Sequence, residues 1–146
     1  VLAIGADHGG FELKEQLKAL LDELGVAYSD LGVHENTRVD YPDYAFAVAT
    51  QVAEGTAERG ILVCGTGIGM SIAANKVPGI RATLVHDEYT ARMSRAHNDS
   101  NVLCLGGRVL GIEIARAAVQ AWLETPFEGS RHQQRLQKIA DAEHKG

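Results

Sequence analysis

The sequence is poor in cysteine, tryptophan and proline, with two, one and three of them in 146 residues. Cys64 and Cys104 stand far apart, with no CxxC pair and no His/Cys ligand spacing. That argues against a disulfide framework or a zinc site. No run of 18 apolar residues occurs, so no membrane-spanning helix is expected. No charged-then-apolar leader precedes the first strand pattern, so the expected compartment is the cytoplasm. Positive charge is not in excess either. The net charge is −5 and the isoelectric point about 5.6, which argues against general affinity for nucleic acid or anionic membranes. An anionic ligand would have to meet positive charge gathered locally. Linkers, repeats and low-complexity stretches are missing, and the length suits one compact domain spanning 1–146 rather than two.

What is present is an alternation of strand and helix patterns. Val1 to Gly5 reads as a short buried strand, and Leu13, Leu17, Leu20, Leu21 and Leu24 then share one helix face that Gly25 ends. Ala27 to Leu31 is a second strand, and a helix starts near Pro42, with Ala45, Val48, Ala49 and Val52 on its buried side. Gly60 to Cys64 is a third strand, apolar enough to be buried on both faces, and a glycine-rich turn leads from it into a helix reaching Ala74. Arg81 to Val85 is the fourth strand, and Asp87 caps a helix running toward His97. Asn101 to Leu105 is the fifth, followed by helices over Gly111 to Leu123 and Arg131 to His144. The fold class is therefore α/β: a three-layer, Rossmann-like sandwich around a five-stranded parallel sheet, with expected strand order 2-1-3-4-5. Ligands in such folds bind beyond the carboxyl ends of the strands, where the strand order reverses.

The loops at those ends carry the chemistry. Cys64-Gly65-Thr66-Gly67-Ile68-Gly69 has alternating glycines that can turn backbone N–H groups toward one point at a helix N-terminus, an anion cradle. A tight turn needing glycine for close packing is the plain alternative. The loop is no Walker A motif, and Met70 occupies the third glycine of the dinucleotide fingerprint. Cys64 opens the loop, where a helix N-terminus would stabilise its thiolate, although a buried strand cysteine is common. Cys104, inside the fifth strand, reads as core. Asp7 can cap the first helix, whereas nothing about a capping turn asks for His8. His97 and Asn98 suit the end of a helix, the one complementing the dipole and the other terminating it. Arg131 and Arg135 share a helix face and could clamp a phosphate or simply face solvent.

In combination these segments are recognisable. Asp7-His8-Gly9-Gly10, Asp40-Tyr41-Pro42, the run from Cys64 through Asn75-Lys76, His97-Asn98-Asp99-Ser100-Asn101, and Gly129-Ser130-Arg131-His132-Gln133-Gln134-Arg135 occur in order over nearly the whole chain. The chain resembles the type B ribose-5-phosphate isomerases, a family that also includes galactose-6-phosphate and allose-6-phosphate isomerases. The resemblance implies an aldose–ketose isomerase of carbohydrate metabolism, interconverting ribose 5-phosphate and ribulose 5-phosphate in the pentose phosphate pathway. It implies that Cys64 is the base moving a proton between C1 and C2, and that His97 helps to open the sugar ring. It further implies that Asp7, His8, Gly65, Thr66, Gly67, Ile68, Gly69, Asn98, Arg108, Arg131 and Arg135 bind the substrate. One branch of the family places a glutamate base where Met70 stands, so this chain resembles the cysteine branch. The family implies a homodimer or a dimer of dimers. The Cys64 loop of one chain is then expected to meet His97, Asn98 and Arg108 of its neighbour, with the helix over 131–144 at the subunit interface.

The residues suit that chemistry. Isomerisation through an enediolate needs a base and donors for the developing oxyanion. Cys64 supplies the first, and the glycine-loop N–H groups with the Thr66 hydroxyl supply the second. Ring opening falls to His97, with Asp7 as a helper. No cofactor is expected. A metal-assisted hydride shift would need clustered carboxylates and histidines, and none shows in the spacing. Rival readings are the same reaction on a six-carbon phosphosugar or a free sugar, a silent sugar-phosphate binding module, and a flavodoxin- or receiver-like module. The last lacks its acidic cluster or Ser/Thr-rich loop after strand one.

Overall fold

The computed structural model describes residues 1–145. In chain order the elements are β1 (Leu2–Ala6), α1 (Phe11–Glu23), β2 (Tyr28–Asp30), α2 (Tyr41–Ala53), β3 (Arg59–Cys64), α3 (Ile68–Ala74), β4 (Ala82–Leu84), α4 (Glu88–Ala96), β5 (Val102–Gly106), α5 (Ile112–Glu124) and α6 (Arg131–Lys145). The strands form one parallel sheet with helices on both faces, as the alternation requires. Among the described residues no helix is long and apolar enough to cross a membrane.

Local sequence explains where the elements begin and end. Gly25, at φ +69°, ends α1: its N–H donates to the Asp22 carbonyl and the Val26 N–H to the Leu21 carbonyl, a Schellman pair. Pro42 occupies the first turn of α2. Asp87 caps α4, its Oδ1 accepting the Thr90 N–H at 2.7 Å while the Thr90 hydroxyl accepts the Asp87 N–H at 3.3 Å.

The strand order is 2-1-3-5-4, which corrects the expected 2-1-3-4-5. The reason lies in composition. All five residues of β5 (Val-Leu-Cys-Leu-Gly) are buried, so it needs neighbours on both sides and takes them from β3 and β4. β4 is three residues long, with Thr83 and Leu84 only partly covered, and serves as the edge. The reversal between β1 and β3 is retained, so the switch point stays where it was expected.

Each face of the sheet has its own core. Leu13, Leu17 and Leu21 of α1 meet Ala115, Val119 and Trp122 of α5 over one face. Ala45, Val48 and Val52 of α2 meet Met70 and Ala74 of α3 over the other. Val48 comes so close that a Cβ on Gly60 would lie 2.4 Å from its Cγ1. A buried ion cluster sits beside the first core. Lys14, wholly buried, donates to Asp30 at 2.7 and 2.8 Å, and Lys18 donates to the same carboxylate at 2.8 Å. Burial alone would raise the Asp30 carboxyl; the hydrogen bonds from Lys14, Lys18 and the Gly32 N–H outweigh it and hold the group down at about 2.

The native pKa of Asp30 is depressed, so its contribution to stability is complete above the unfolded value near 4 and is lost as pH falls through about 2. Asp30→Asn should remove that part of the acid sensitivity. It should also cost about 3 kcal/mol at neutral pH, because the Lys14 ammonium is left buried without its main counter-ion. Urea unfolding across the two pH ranges checks both, and a variant as acid-sensitive as the parent between pH 4 and 2 would contradict the assignment.

Candidate active site

The carboxyl ends of β1, β3 and β5 are packed backbone to backbone. The Cys64 carbonyl accepts the Gly107 N–H at 2.8 Å, and the Gly65 carbonyl accepts the Arg108 N–H at 3.0 Å. The turn after β1 closes through Asp7, whose Oδ1 accepts the Gly10 N–H at 3.1 Å. Asp7 thus braces the entry to α1 without being its N-cap, a position held by Gly10. Asp7 is buried, and Oδ2 is left as an acceptor. His8 is half-buried, and its Nδ1 accepts the Val39 N–H at 3.3 Å. The neutral imidazole then carries its proton on Nε2, a donor to whatever enters.

Cys64 lies at the end of β3, 5% exposed, and the Gly67 N–H donates to its sulfur at 3.1 Å. Gly67 reaches that position at φ +80°, which glycine adopts without strain. The cradle expected of the loop is partly used internally. Besides the Gly67 N–H on sulfur, the Ile68 N–H is taken by the Thr66 Oγ1 at 3.2 Å. As Thr66 Oγ1 accepts there, its own hydroxyl hydrogen is free to be given outward. Cys104, fully buried one strand away, has its thiol pushed up by burial and by Cys64 beside it, as a core residue should.

Arg108 stands in this first group, which corrects the expectation that it comes from a neighbouring chain. A Cβ on Gly65 would lie 3.3 Å from Nη1 of Arg108, so the guanidinium covers that residue of its own loop. The cause is the strand order: β5 adjoins β3, and the loops leaving them are neighbours. His8, Gly9, Glu12, Asn36, Gly107 and Arg108 line a cavity of about 280 Å³.

The remaining predicted residues form a second group at the other end of the sheet. α4 leaves the carboxyl end of β4 and returns to the amino end of β5, carrying His97 and Asn98 with it. β5 alone separates that end from Gly106 by about 13 Å at the rise of a strand. The fold therefore does not bring His97 or Asn98 to Cys64 of the same chain. Arg131 and Arg135, both exposed, lie on α6 beside this second group. Arg95 fixes the corner, donating to Asp99 at 2.8 Å and to the Ser100 carbonyl at 2.6 Å. Asp99, not Asn98, takes the left-handed conformation that ends α4, at φ +47°.

Three residues, Tyr41, Glu128 and His132, were given no role by the sequence. The ring of Tyr41 lies against Gly69, 2.5 Å from where a Cβ would be, so it walls the loop; its motif was visible but its role was not. His132 stacks on His97 with centroids 4.2 Å apart and planes at 17°. Glu128 approaches both, its Oε1 3.8 Å from His97 Nε2 and 3.7 Å from His132 Nε2. Burial, followed by the charge of Arg131, pushes the His132 imidazole below its ordinary value. The expectation that no histidine–carboxylate cluster exists is thus corrected. His97 and Glu128 are 31 positions apart, and only the contact of α4 with the segment entering α6 joins them.

Comparison with known proteins gives one consistent picture. A family profile described as Ribose/Galactose Isomerase matches residues 2–139. Ribose-5-phosphate isomerase B of Escherichia coli is 51% identical over 142 residues, covering 97% of this chain and 95% of that protein. The structure of ribose-5-phosphate isomerase B from Clostridium thermocellum superposes with a TM-score of 0.97 at 50% identity, covering 99% of this chain and 97% of that one. Ribose-5-phosphate isomerase B from Mycoplasma genitalium with bound ribulose-5-phosphate superposes with a TM-score of 0.95 at 40% identity, covering 99% and 97%.

The packed loops make a direct test possible. A Cβ on Gly107 would lie 2.7 Å from the Gly9 carbonyl oxygen, whereas nothing lies within 4 Å of one on Gly111. Gly107→Ala should cost about 1–3 kcal/mol and part the loops, so that Cys64 alkylates several-fold faster while Cys104 stays unreactive. Gly111→Ala should leave the alkylation rate unchanged. Equal rates in the two variants would show that the loops tolerate the intrusion.

Proposed function

The chain belongs to the ribose/galactose isomerase family, and from that premise we propose that it interconverts ribose 5-phosphate and ribulose 5-phosphate with Cys64 as the base. The observation that carries the reading is a buried thiol, hydrogen-bonded by the Gly67 N–H, beside a cavity lined by His8 and Arg108. A base for carbon-bound hydrogen and cationic or N–H donors for a phosphate are what the substrate requires.

The reaction follows from those groups. The sugar enters as a ring and must open; His97, with Asp7, moves the proton between the ring oxygen and the C1 hydroxyl. In the open form the Cys64 thiolate removes the C2 hydrogen as a proton, and the electron pair passes through the C1–C2 bond to the carbonyl oxygen. The enediolate is met by the free hydrogen of the Thr66 hydroxyl and by N–H groups of the Gly65–Gly69 segment. The C2 hydroxyl gives up its proton as O1 takes one, and the proton on Cys64 returns to C1, leaving a ketone at C2 and a hydroxyl at C1. No step needs a metal or a cofactor. His8, through Nε2–H, and Arg108 face one side of the phosphate, with Arg131 and Arg135 on the other.

The two groups of residues stand at opposite ends of the sheet, so one site needs two chains. We infer a homodimer, alone or paired, in which Cys64 with His8 and Arg108 of one protomer meets His97, Asn98, Arg131 and Arg135 of its partner. Exposed Ile68, Ile72 and Val109 around the Cys64 mouth, and the exposed α6, support an interface there. The span 1–146 then acts as a single domain whose last helix, over 131–144, serves the interface. The enzyme works in the cytoplasm, in the pentose phosphate pathway.

The purified protein should turn over ribose 5-phosphate faster than allose 6-phosphate, and free ribose least. Cys64→Ala should lower the rate by about 10²–10⁴-fold and abolish solvent deuterium uptake at the transferred position, with phosphosugar binding largely kept. Near-normal turnover in that variant would refute the assignment of the base.

Chain sharing has a separate test. Cys64→Ala and His97→Ala chains, each inactive, are mixed equally and allowed to exchange. About half of the dimers are then mixed, and each of those has one intact site, so about a quarter of the wild-type activity should return. A site confined to one chain would recover nothing. Native mass spectrometry of differently tagged chains confirms that exchange has occurred.

A further inference from the structure

His132 is buried, with 5% of its side chain exposed, yet its Nε2 has no hydrogen-bond partner, the one such buried side-chain polar atom among the described residues. It faces Glu128 Oε1 at 3.7 Å, and the same carboxylate oxygen lies 3.8 Å from His97 Nε2. One ligand atom from each of the three residues lies within 4.8 Å of the other two. Their backbones are held independently: the His97 N–H on the Met93 carbonyl at 2.9 Å, the Glu128 N–H on the Ala96 carbonyl at 3.0 Å, and the His132 N–H on the Gly129 carbonyl at 3.1 Å.

We propose that His97, Glu128 and His132 form a binding site for a divalent ion of the zinc class, and that its occupancy arrests the isomerase by engaging the His97 imidazole. The donor set is two imidazole nitrogens and one carboxylate oxygen, which suits zinc or cobalt and not magnesium or calcium. Tetrahedral zinc with bonds of about 2.0–2.1 Å holds its ligand atoms about 3.4 Å apart. The distances present exceed that by a few tenths of an ångström for both nitrogen–oxygen pairs. Each nitrogen lone pair lies in its ring plane, and the two stacked planes are only 17° apart, so the pairs do not converge on one ion and one ring must turn. His132 is enclosed, and His97, with 39% of its side chain exposed, is the one free to do so. That turn and the metal bond both withdraw His97 from a sugar. Arg131 and Arg135 on the same helix oppose a cation here, and the Glu128 carboxylate offsets them. The arrest rests on the role given to His97 above; the binding does not.

The test uses the full-length protein after chelation and desalting. Calorimetric titration with zinc chloride should show one ion per chain, and cobalt(II) should give visible absorption bands of a four- or five-coordinate site. Glu128→Gln and His132→Gln should each weaken zinc binding by about tenfold or more, while Cys64→Ala should not. Glu128 is exposed, so Glu128→Gln should keep the parent's circular dichroism and Tm, which guards against loss through misfolding. Binding that is undiminished in both variants, or that disappears in Cys64→Ala, overturns the site, the latter by placing the ion on the thiol. In wild type the isomerase rate should fall in step with calorimetric occupancy and return with EDTA. Full occupancy with an unchanged rate would overturn the arrest, and with it the catalytic role of His97, while leaving the ion site standing.

Discussion

The site depends on how closely three strand ends approach one another. A Cβ on Gly10 would lie 2.2 Å from the Val63 carbonyl oxygen, and one on Gly106 would lie 2.7 Å from that of Thr66. Side chains at these positions would hold the β1, β3 and β5 loops apart by the width of a methyl group or more. With glycine there, backbone packs on backbone, and the loops lock through the Cys64–Gly107 and Gly65–Arg108 hydrogen bonds. Everything reactive at this end inherits its position from that contact. The sulfur of Cys64 is held by the loop it opens, His8 is oriented by the Val39 N–H, and Arg108 is laid over Gly65. Gly10, Gly106 and Gly107 therefore act as spacers of zero width.

The second group is anchored differently, through side chains rooted in the core. Trp122, fully buried, donates its indole N–H to the Ser100 hydroxyl at 3.1 Å, and that hydroxyl pairs with Thr83 at 2.7 Å. Arg95 connects the same turn to the Thr125 carbonyl at 3.3 Å, on the segment that leads to Glu128 and His132. The histidine pair is thus tied to the α4–α5 core. A buried polar network of this kind fixes one arrangement, because each broken link leaves a desolvated group unpaired.

Much of this was legible in the sequence. Period and punctuation placed all eleven elements to within about two residues, because Gly25, Pro42 and Asp87 act locally through backbone geometry that a short window reveals. The site loops were legible through unusual residue types where a strand ends. Strand order was not, although the wholly apolar Val-Leu-Cys-Leu of β5 against the Arg-Ala-Thr-Leu of β4 held the signal for which is central. The assignment of Arg108 to a neighbouring chain rested on the resemblance alone; it is β3–β5 pairing that brings it to Gly65. The stacking of His132 on His97 and the approach of Glu128 depend on the packing of segments some 30 positions apart, which no local pattern encodes.

The sheet order also bears on synthesis. β4 pairs with β5 alone, yet it leaves the ribosome some twenty residues earlier. At the usual elongation speed, an interval of roughly one to four seconds separates the outermost strand from the only strand that can hold it. During that interval β2, β1 and β3 can already associate, but β3 presents a bare edge of unpaired N–H and C=O groups. The nascent chain thus has a half-finished sheet with one sticky border and one stray ribbon, and β5 closes both by sliding between them. A chain cut before Val102 has no means of doing so.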